Sequence, residues 1–395
     1  MTFDAVIIGG GPAGSTAALS LAKQGWSVAL VEKAPFPRRK VCGEFISATS
    51  IAVIDAIGLG STWRAQAGPE VKRVALYSGN TIVDAPMPQA SSNSFGRALG
   101  RDVLDTLMME RVRSEGATIF QPAKALAITR EGQSHAVRIA SEGGEQTLVT
   151  PVVIAAHGSW EQGALPTQLD KINNPHDFLG FKAHFRNASL PADLMPLLFF
   201  PGGYGGIVWA DDGRLSLSCC IRRDALARAR QTYNTSSASQ AVHQHILETC
   251  LGARQVIGKA EREGPWLAAG PIRPGIREGY ADDIFRVGNL AGESHPIIAE
   301  GISMAIQSGW LLADELLRGD ARSQSGRVLV GRRYASAWRS QFSTRIHVAK
   351  VLAEVAVRSQ TSRLASMLVK AVPATLTVGA SLSGKTQSLQ TLNGG

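Results

Sequence analysis

Three glycines near the start of the chain have the spacing of a dinucleotide-binding turn. Gly9, Gly11 and Gly14 follow the apolar run 3–8 and precede a segment of helical composition. In such a turn the first glycine permits the tight bend, and the second lets a pyrophosphate approach the backbone. The third allows the helix to pack closely on the strand. The start of that helix then offers unpaired amide donors to phosphate oxygens.

An acidic residue downstream supports the same chemistry. Glu32 ends a second apolar run, 26–31, and lies eighteen residues after Gly14. A carboxylate at this place can accept hydrogen bonds from both ribose hydroxyls, and it disfavours a ribose that carries a 2′-phosphate. Strand, turn, helix, second strand and terminal acid together form a βαβ unit of about thirty residues. This context makes the glycine motif specific, because the motif alone is weak.

A second segment indicates which dinucleotide is bound. An apolar strand, 284–287, ends at Gly288 and Asn289, and a loop then enters a helix at Gly301 and Ile302. This gives a second helix start that can face a phosphate or a carbonyl group. One NAD molecule does not need it, whereas a cofactor with a ribityl chain and an isoalloxazine ring does. The pair of segments therefore predicts FAD.

The elements around these motifs predict an α/β fold. Residues 178–222 alternate in polarity like an antiparallel sheet, unlike the buried strands of the opening unit. We expect a Rossmann-like FAD-binding domain with an inserted antiparallel-sheet substrate domain and a C-terminal helical segment. The expected divisions are 1–70, 99–172 and 271–320 for the FAD-binding domain, 71–98 and 173–270 for the substrate domain, 321–383 for the helical region, and 384–395 for a disordered tail.

Composition excludes several classes of protein. The 395 residues are 44% hydrophobic and 18% charged, which is typical of a globular chain. Four cysteines are too few for a disulfide scaffold, so we expect reduced thiols in a cytoplasmic protein. No stretch of 18 uncharged apolar residues occurs, so no transmembrane segment is predicted. This composition fits a cytoplasmic protein that is either unattached to the membrane or bound at its periphery.

The net charge of +9 is concentrated near the C-terminus. Residues 318–395 hold nine arginines and three lysines against two acidic residues, which argues against a general nucleic-acid partner. Tyr334, Trp338, Phe342 and Ile346 recur every four residues, so they share one face of a helix. One interpretation is a helix docked on the core. The other is a basic region that attracts an anionic partner: a membrane surface, a lipid diphosphate or an acyl carrier.

Several of these stretches resemble one flavoprotein superfamily. It contains p-hydroxybenzoate hydroxylase-type monooxygenases, geranylgeranyl reductases and flavin-dependent halogenases, and the strongest resemblance is to the geranylgeranyl reductase branch. The resemblance rests on the glycine motif with Glu32, on Lys40-Val41-Cys42-Gly43-Glu44, on Arg101 with Leu104-Asp105, and on Gly288-Asn289 through Gly301-Ile302. It implies FAD, with Arg101 near the cofactor and the Gly301 and Ile302 amides facing the pyrimidine end of the flavin.

Motif and resemblance together give a set of cofactor-binding residues. They are Gly9, Gly11, Pro12, Ala13, Gly14, Glu32, Lys33, Arg39, Cys42, Arg101, Gly288, Asn289, Gly301 and Ile302. Two positions depart from the family pattern, because Asn289 and His157 stand where the relatives usually carry aspartate. In the monooxygenases that second aspartate helps with reduced nicotinamide, so the electron donor stays open.

Three residues are candidates for catalysis, each with an alternative role. The resemblance places Cys42 near the flavin, although a thiol can also act as a small buried apolar group. His295 is a candidate proton donor or a loop hydrogen-bonding residue, and Tyr204 is a candidate acid or a packing residue. The histidines have no metal-ligand spacing, so we expect no metal.

We therefore expect an FAD-dependent oxidoreductase that acts on a small to medium lipophilic substrate, prenyl or polyketide-like, with the flavin as hydride carrier. One alternative is a monooxygenase that hydroxylates an aromatic substrate through a peroxyflavin. Another is a non-catalytic flavin-binding partner protein. Halogenation is set aside, because the stretch 204–209 has a single tryptophan, Trp209, where the halogenases have a pair.

Overall fold

A computed structural model describes residues 1–90, 94–160, 162–170, 172–386 and 389. Within these residues the strands, in chain order, are β1 (Ala5–Ile8), β2 (Val28–Val31), β3 (Phe45–Ile46), β4 (Arg73–Ser78), β5 (Thr81–Pro86), β6 (Arg97–Ala98), β7 (Thr118–Phe120), β8 (Ala123–Glu131), β9 (Ser134–Ser141), β10 (Gly144–Thr150), β11 (Val152–Ala155), β12 (Phe178–Arg186), β13 (Leu194–Phe200), β14 (Gly203–Trp209), β15 (Leu215–Arg222), β16 (Glu261–Ile272), β17 (Gly275–Ile276), β18 (Tyr280–Ala281), β19 (Ile284–Arg286) and β20 (Gly292–Glu293). The helices over the same residues are α1 (Pro12–Ala22), α2 (Ile51–Ala56), α3 (Gly60–Gln66), α4 (Arg101–Ser114), α5 (Arg223–Thr232), α6 (Ala238–Thr249), α7 (Leu251–Ile257), α8 (Gly301–Arg318), α9 (Gln324–Val357), α10 (Ser359–Ala371) and α11 (Ala374–Ala380).

The first sheet is mostly parallel and has the strand order β18-β19-β11-β1-β2-β7. Its central strand β1 pairs in parallel with β2 on one side and β11 on the other. Both neighbours are buried along their whole length, which explains why they are continuous apolar runs in the sequence. Helices α1, α4 and α8 pack on one face of this sheet, and the small sheet β10-β9-β8 covers the other.

The second sheet is mostly antiparallel and has the order β16-β12-β15-β14-β13-β4-β5. The alternation in 178–222 therefore has the predicted cause, although β13 joins β4 in parallel. One face of this sheet packs on helices α5, α6 and α7. The other face packs against the loop that precedes α8 and against helices α9 and α10. The α/β fold class is confirmed.

The apolar stripe that the sequence predicts at 334, 338, 342 and 346 lies on helix α9 and faces the core. Tyr334, Trp338, Phe342 and Ile346 are all buried along α9. The docked-helix interpretation is thus right for this stripe. No single helix among the described residues is long and apolar enough to cross a membrane. One broken pair, Ser359–Ala371 with Ala374–Lys385, reaches that length and composition together but is bent by 115°.

The first residues of the segment 384–395 are packed against the rest of the protein. Residues 384–395 were expected to form a disordered tail, but Gly384 and Lys385 are buried in the structure. The Lys385 ammonium donates hydrogen bonds to the Glu300 carboxylate and to the Ile298 carbonyl. The polar composition of this segment does not predict its burial. A long-range ion pair can fix a segment that has few apolar residues. Most of the remaining tail lies outside the described residues.

Candidate active site

A cavity of about 780 Å³ opens where the two large sheets meet. The residues that directly follow β1, β2, β11 and β19 line it, because the carboxyl ends of parallel strands share one edge of a sheet. Strands β13, β14 and β15 of the second sheet form the opposite wall. The cavity therefore extends from the glycine turn to the strand that carries Tyr204.

The glycine turn is built as the motif predicts. Gly9 has φ of +113°, and a Cβ there would lie 2.6 Å from the backbone of Ala156. A Cβ at Gly14 would lie 2.0 Å from the Gly9 carbonyl oxygen, so α1 packs directly on the turn. Gly11 differs, because the described atom nearest to its Cβ would be a guanidinium nitrogen of Arg101, 3.6 Å away. A side chain at Gly11 would point into the cavity.

Glu32 organises this turn as well as facing the cavity. Its carboxylate accepts hydrogen bonds from the Gly10 amide at 2.8 Å and from the Ala34 amide at 2.9 Å. The Arg38 guanidinium donates to it at 3.1 Å. Besides the contact with a ribose that its position in the sequence predicts, Glu32 therefore has a second role, since it fixes the loop that follows β2.

The second helix start also reaches the cavity. Gly288 has φ of +59°, and its amide donates to the Ser308 hydroxyl at 3.0 Å. The neighbouring Asn289 and the first two residues of α8, Gly301 and Ile302, line the cavity. The positive end of an 18-residue helix therefore points at this space.

Basic groups surround the middle of the cavity. Arg101, at the start of α4, is held by two hydrogen bonds of 2.7 Å to the buried Asp105 carboxylate. Cys42 is half-buried on the cavity wall near Arg101. Lys40 lies beside them, and burial together with Arg101 and Arg38 lowers the pKa of Lys40 to about 8.

A buried ionic network lies between the cavity and strand β12. Glu44 forms an ion pair with Lys182 and accepts a hydrogen bond from His184 Nε2 at 2.8 Å. Arg39 donates to His184 Nδ1 at 2.9 Å, which leaves the His184 proton on Nε2 because arginine only donates. Burial alone would raise the pKa of Glu44, but Lys182 and His184 hold it well below its ordinary value.

Two catalytic candidates meet at the far end of the cavity. The Tyr204 hydroxyl lies 3.1 Å from His295 Nδ1, and both rings contact Phe178. Burial raises the pKa of Tyr204 well above its ordinary value. Burial, with a smaller effect of Lys350, lowers the pKa of His295 to about 4. At neutral pH the pair therefore holds a phenol and a neutral imidazole.

The adjacent cysteines of β15 point to opposite faces of the sheet. Cys219 packs in the cluster covered by the helices α5 to α7, and Cys220 packs with Tyr204. Burial raises the pKa of both thiols, that of Cys220 to about 12. Because both stay protonated and face apart, they are packing residues rather than a redox pair.

Most of the predicted site residues share this one cavity. Those that line it are Gly9, Gly11, Pro12, Ala13, Glu32, Lys33, Arg39, Cys42, Arg101, Tyr204, Gly288, Asn289, Gly301 and Ile302. Gly14 lies behind the turn, where its contact with Gly9 explains its small size. His295 is not among the lining residues, but its ring lies 3.1 Å from the Tyr204 hydroxyl, so it can act on the cavity through that group.

The ionic network of Glu44, Lys182 and His184 is not among the residues that the sequence predicts for the site. Lys182 and His184 occupy alternate positions of β12 and are both fully buried, whereas basic residues at such spacing usually mark a solvent-facing side. The available signal was Glu44, the last residue of the stretch that carries the resemblance. Its partners could not be identified, since they lie about 140 residues away along the chain.

Comparisons with known proteins agree with this geometry. A profile of the FAD binding domain family matches residues 2–325. The digeranylgeranylglycerophospholipid reductase 1 of Methanopyrus kandleri is 25% identical over 379 residues, which cover 90% of this chain and 91% of the relative. The menaquinone reductase of Mycobacterium tuberculosis is 30% identical over 152 residues, 38% of this chain and only 37% of that protein. The flavin-dependent brominase Bmp2 has the same fold, with a TM-score of 0.77 and 17% identity over 97% of this chain and 94% of its own.

The cavity fits the cofactor that this family binds. Its volume lies in the upper part of the range for small-molecule sites, about 300–1,000 Å³. A side chain at Gly11 would obstruct it, and two helix N-termini with two nearby cations, Lys40 and Arg101, suit an anionic dinucleotide. The predicted resemblance is confirmed: the chain belongs to the FAD binding domain family, and FAD is its cofactor.

Proposed function

We propose that the protein is an FAD-dependent oxidoreductase that passes a hydride to a small to medium lipophilic substrate of prenyl or polyketide-like character. The observation that carries this proposal is the shape of the cavity. It continues beyond the two helix starts to an apolar wall made by Met195, Leu197, Ile207 and Val208. The polar pyrophosphate, ribose and ribityl parts of FAD do not need such a wall, whereas a lipophilic substrate does.

The residues around the cavity divide between the parts of FAD. The turn 9–14 with the start of α1 would hold the pyrophosphate, and Glu32 the adenosine ribose. Gly288 and Asn289 would hold the ribityl chain, and the amides of Gly301 and Ile302 the pyrimidine end of the flavin. When bound, reduced FAD supplies a hydride, and the positive end of α8 stabilises negative charge at that end.

The names of two relatives support the substrate class. One is called a menaquinone reductase and the other a digeranylgeranylglycerophospholipid reductase. Both names describe the reduction of a lipid-like molecule. We extend to this chain only the shared class, a lipophilic acceptor of electrons, because one match covers little of the relative and the other is 25% identical. The likeness to the brominase supports the fold alone.

Reduction of an acceptor requires a proton as well as a hydride, and Tyr204 is placed to hold one. Tyr204 lines the cavity, and its buried hydroxyl stays protonated at neutral pH. His295 orients that hydroxyl through the 3.1 Å contact, so we assign it a positioning role. Cys42 lies on the wall nearer the glycine turn and is the remaining candidate for direct contact with flavin or substrate.

The deciding experiment separates the possible reactions. The purified holoprotein is reduced without oxygen, mixed with prenylated quinones or polyprenyl lipids, and followed by flavin absorbance. Reoxidation that yields a product gaining two hydrogens, without oxygen, supports the proposal. A product that appears only with oxygen and carries a new hydroxyl group identifies a monooxygenase. A flavin that no lipophilic acceptor reoxidises identifies a binding protein.

Tyr204→Phe tests the role of the Tyr204 hydroxyl within that experiment. The substitution keeps the ring that packs on Phe178 and removes only the hydroxyl. We expect reduction of the acceptor to slow by about 10²-fold or more, in the range typical of a positioned general acid. Wild-type turnover by this variant would remove Tyr204 from the mechanism without affecting the assignment of FAD.

We also propose an anionic partner for the basic C-terminal region. Because the stripe of α9 is buried, this partner cannot be recognised by those aromatic residues. Of the acidic partners that the charge permits, a membrane surface agrees best with a lipophilic substrate.

A further inference from the structure

The two helices that follow α9 have an unusual arrangement of polarity. On α10, Leu364, Met367 and Leu368 point outward and are 57–66% exposed. The buried side of the same helix carries Ser362 and Ser366, whose hydroxyls bond Ser78 and the Ser362 carbonyl. A helix on a globular surface normally buries its apolar side and exposes the polar one. Here the large apolar residues face out.

The exposed apolar residues continue past the bend at 372–373. Val372, Val378 and Leu382 are 49–58% exposed. Together with Leu364, Met367 and Leu368 they form what we call the C-terminal apolar face. A monomeric protein rarely exposes so many large apolar side chains in about twenty residues of sequence, and such patches mark interaction sites.

Charge decides what kind of partner this face fits. Arg358, Arg363 and Lys370 are exposed on or next to α10, and Glu354 is the last acidic residue of the chain. Exposed apolar residues flanked by cations are the pattern of a helix that lies in the interface of an anionic membrane. The 115° bend between the two helices prevents them from forming one straight span.

A second copy of the chain fits the face less well. In a twofold dimer the same patch would meet itself, so the three cations of one copy would come close to those of the other. Among the described residues after Glu354, no aspartate or glutamate side chain compensates them. Like charges opposed across an interface disfavour association.

The position of the face agrees with this partner. Val369 of α10 and Leu376 of α11 pack in the same apolar cluster as Tyr204 and Ile297, two residues that line the cavity. The helices that carry the face therefore pack, on their other side, in the apolar cluster that borders the cavity. We propose that the C-terminal apolar face docks the protein on an anionic lipid surface. This inference does not depend on the reaction, because docking is measured without turnover.

The test is cosedimentation of the full-length holoprotein with vesicles of phosphatidylcholine, alone or mixed with phosphatidylglycerol. We expect binding to the mixed vesicles that added salt weakens. Met367→Glu with Leu368→Glu should reduce binding at least tenfold. Arg363→Gln with Lys370→Gln should reduce it about fivefold for each charge removed at low ionic strength.

Leu329→Glu is the matched control. Leu329 is 56% exposed, but it lies near the start of α9, about 40 Å from the end of that helix at 1.5 Å per residue. This variant should bind vesicles like the wild type, and flavin absorbance should show that every variant keeps its fold.

Three results would overturn the proposal. The first is a wild-type protein that binds neither vesicle, and the second is unchanged binding by the Met367/Leu368 variant. The third is a wild-type dimer in solution that the same variant converts to a monomer, since the face would then be an interface between copies.

Discussion

Lys385 gives the sharpest test of the structure, because sequence composition alone placed it in a disordered tail. Its ammonium lies 2.8 Å from Glu300 Oε1 and 2.9 Å from the Ile298 carbonyl oxygen. Glu300 is fully buried and directly precedes Gly301, the first residue of the helix that faces the cavity. Lys385→Met keeps most of the side-chain volume and removes the charge.

The expected loss follows from what remains around Glu300. Removing one partner of a buried ion pair costs about 3–5 kcal/mol. Here Arg345 stays 3.8 Å from the other carboxylate oxygen, and the Ser47 hydroxyl still donates to it at 3.1 Å. We therefore expect the lower end, a loss of about 3 kcal/mol in the free energy of unfolding. FAD should also dissociate more readily, since the loop 296–302 lines the cavity.

The assay is denaturant unfolding of the holoprotein, with FAD dissociation measured by the recovery of flavin fluorescence. Lys370→Met is the control, because that lysine lies in the same C-terminal segment but is exposed. A double-mutant cycle with Glu300→Gln then isolates the interaction, and the double variant should be more stable than the sum of the single losses implies. Wild-type stability of Lys385→Met, or strict additivity in the cycle, would refute the buried pair.

Three further predictions concern the cavity. Gly11→Val should fold but purify with little FAD, because its side chain would point into the cavity beside Arg101; flavin absorbance per protein measures this, and stoichiometric FAD would contradict it. Cys42→Ala should keep FAD and slow turnover, whereas wild-type turnover with an unchanged flavin spectrum would make Cys42 a packing residue. Because the pKa of His295 falls from 6.5 when unfolded to about 4 when folded, the unfolded chain binds the proton first as pH drops. Stability should therefore fall between pH 6.5 and pH 4, and His295→Asn should flatten that part of the unfolding profile.

Local patterns predicted the parts of the site that are close together in the chain. The glycine turn, α1 and Glu32 span fewer than thirty residues, so their spacing already determines their geometry. The helix start at Gly301 is equally local, and both segments reach the cavity as expected. The domain boundaries remain a prediction, because the two large sheets share the cavity and their strands alternate along the chain.

The pairing of charges required the folded chain. Glu44 meets Lys182 and His184 about 140 residues away, and Lys385 meets Glu300 85 residues away. Nothing in the spacing of basic residues tells whether they meet water or a buried carboxylate. The same holds for Tyr204 and His295, which were separate candidates until the second sheet placed them 3.1 Å apart.

The sequence by itself determined the fold class, the cofactor and the two helix starts, those of α1 and α8, that line the cavity. Each of these is encoded in a short run of residues whose backbone conformation is set by its neighbours in the chain. Tertiary structure alone decided which polar residues are buried and which apolar residues are exposed. Lys182 and His184 of β12 are buried although the strand alternates in polarity, and Leu364 and Leu368 of α10 are exposed. The physical reason is that periodicity fixes the faces of an element, but only packing decides which face meets the core.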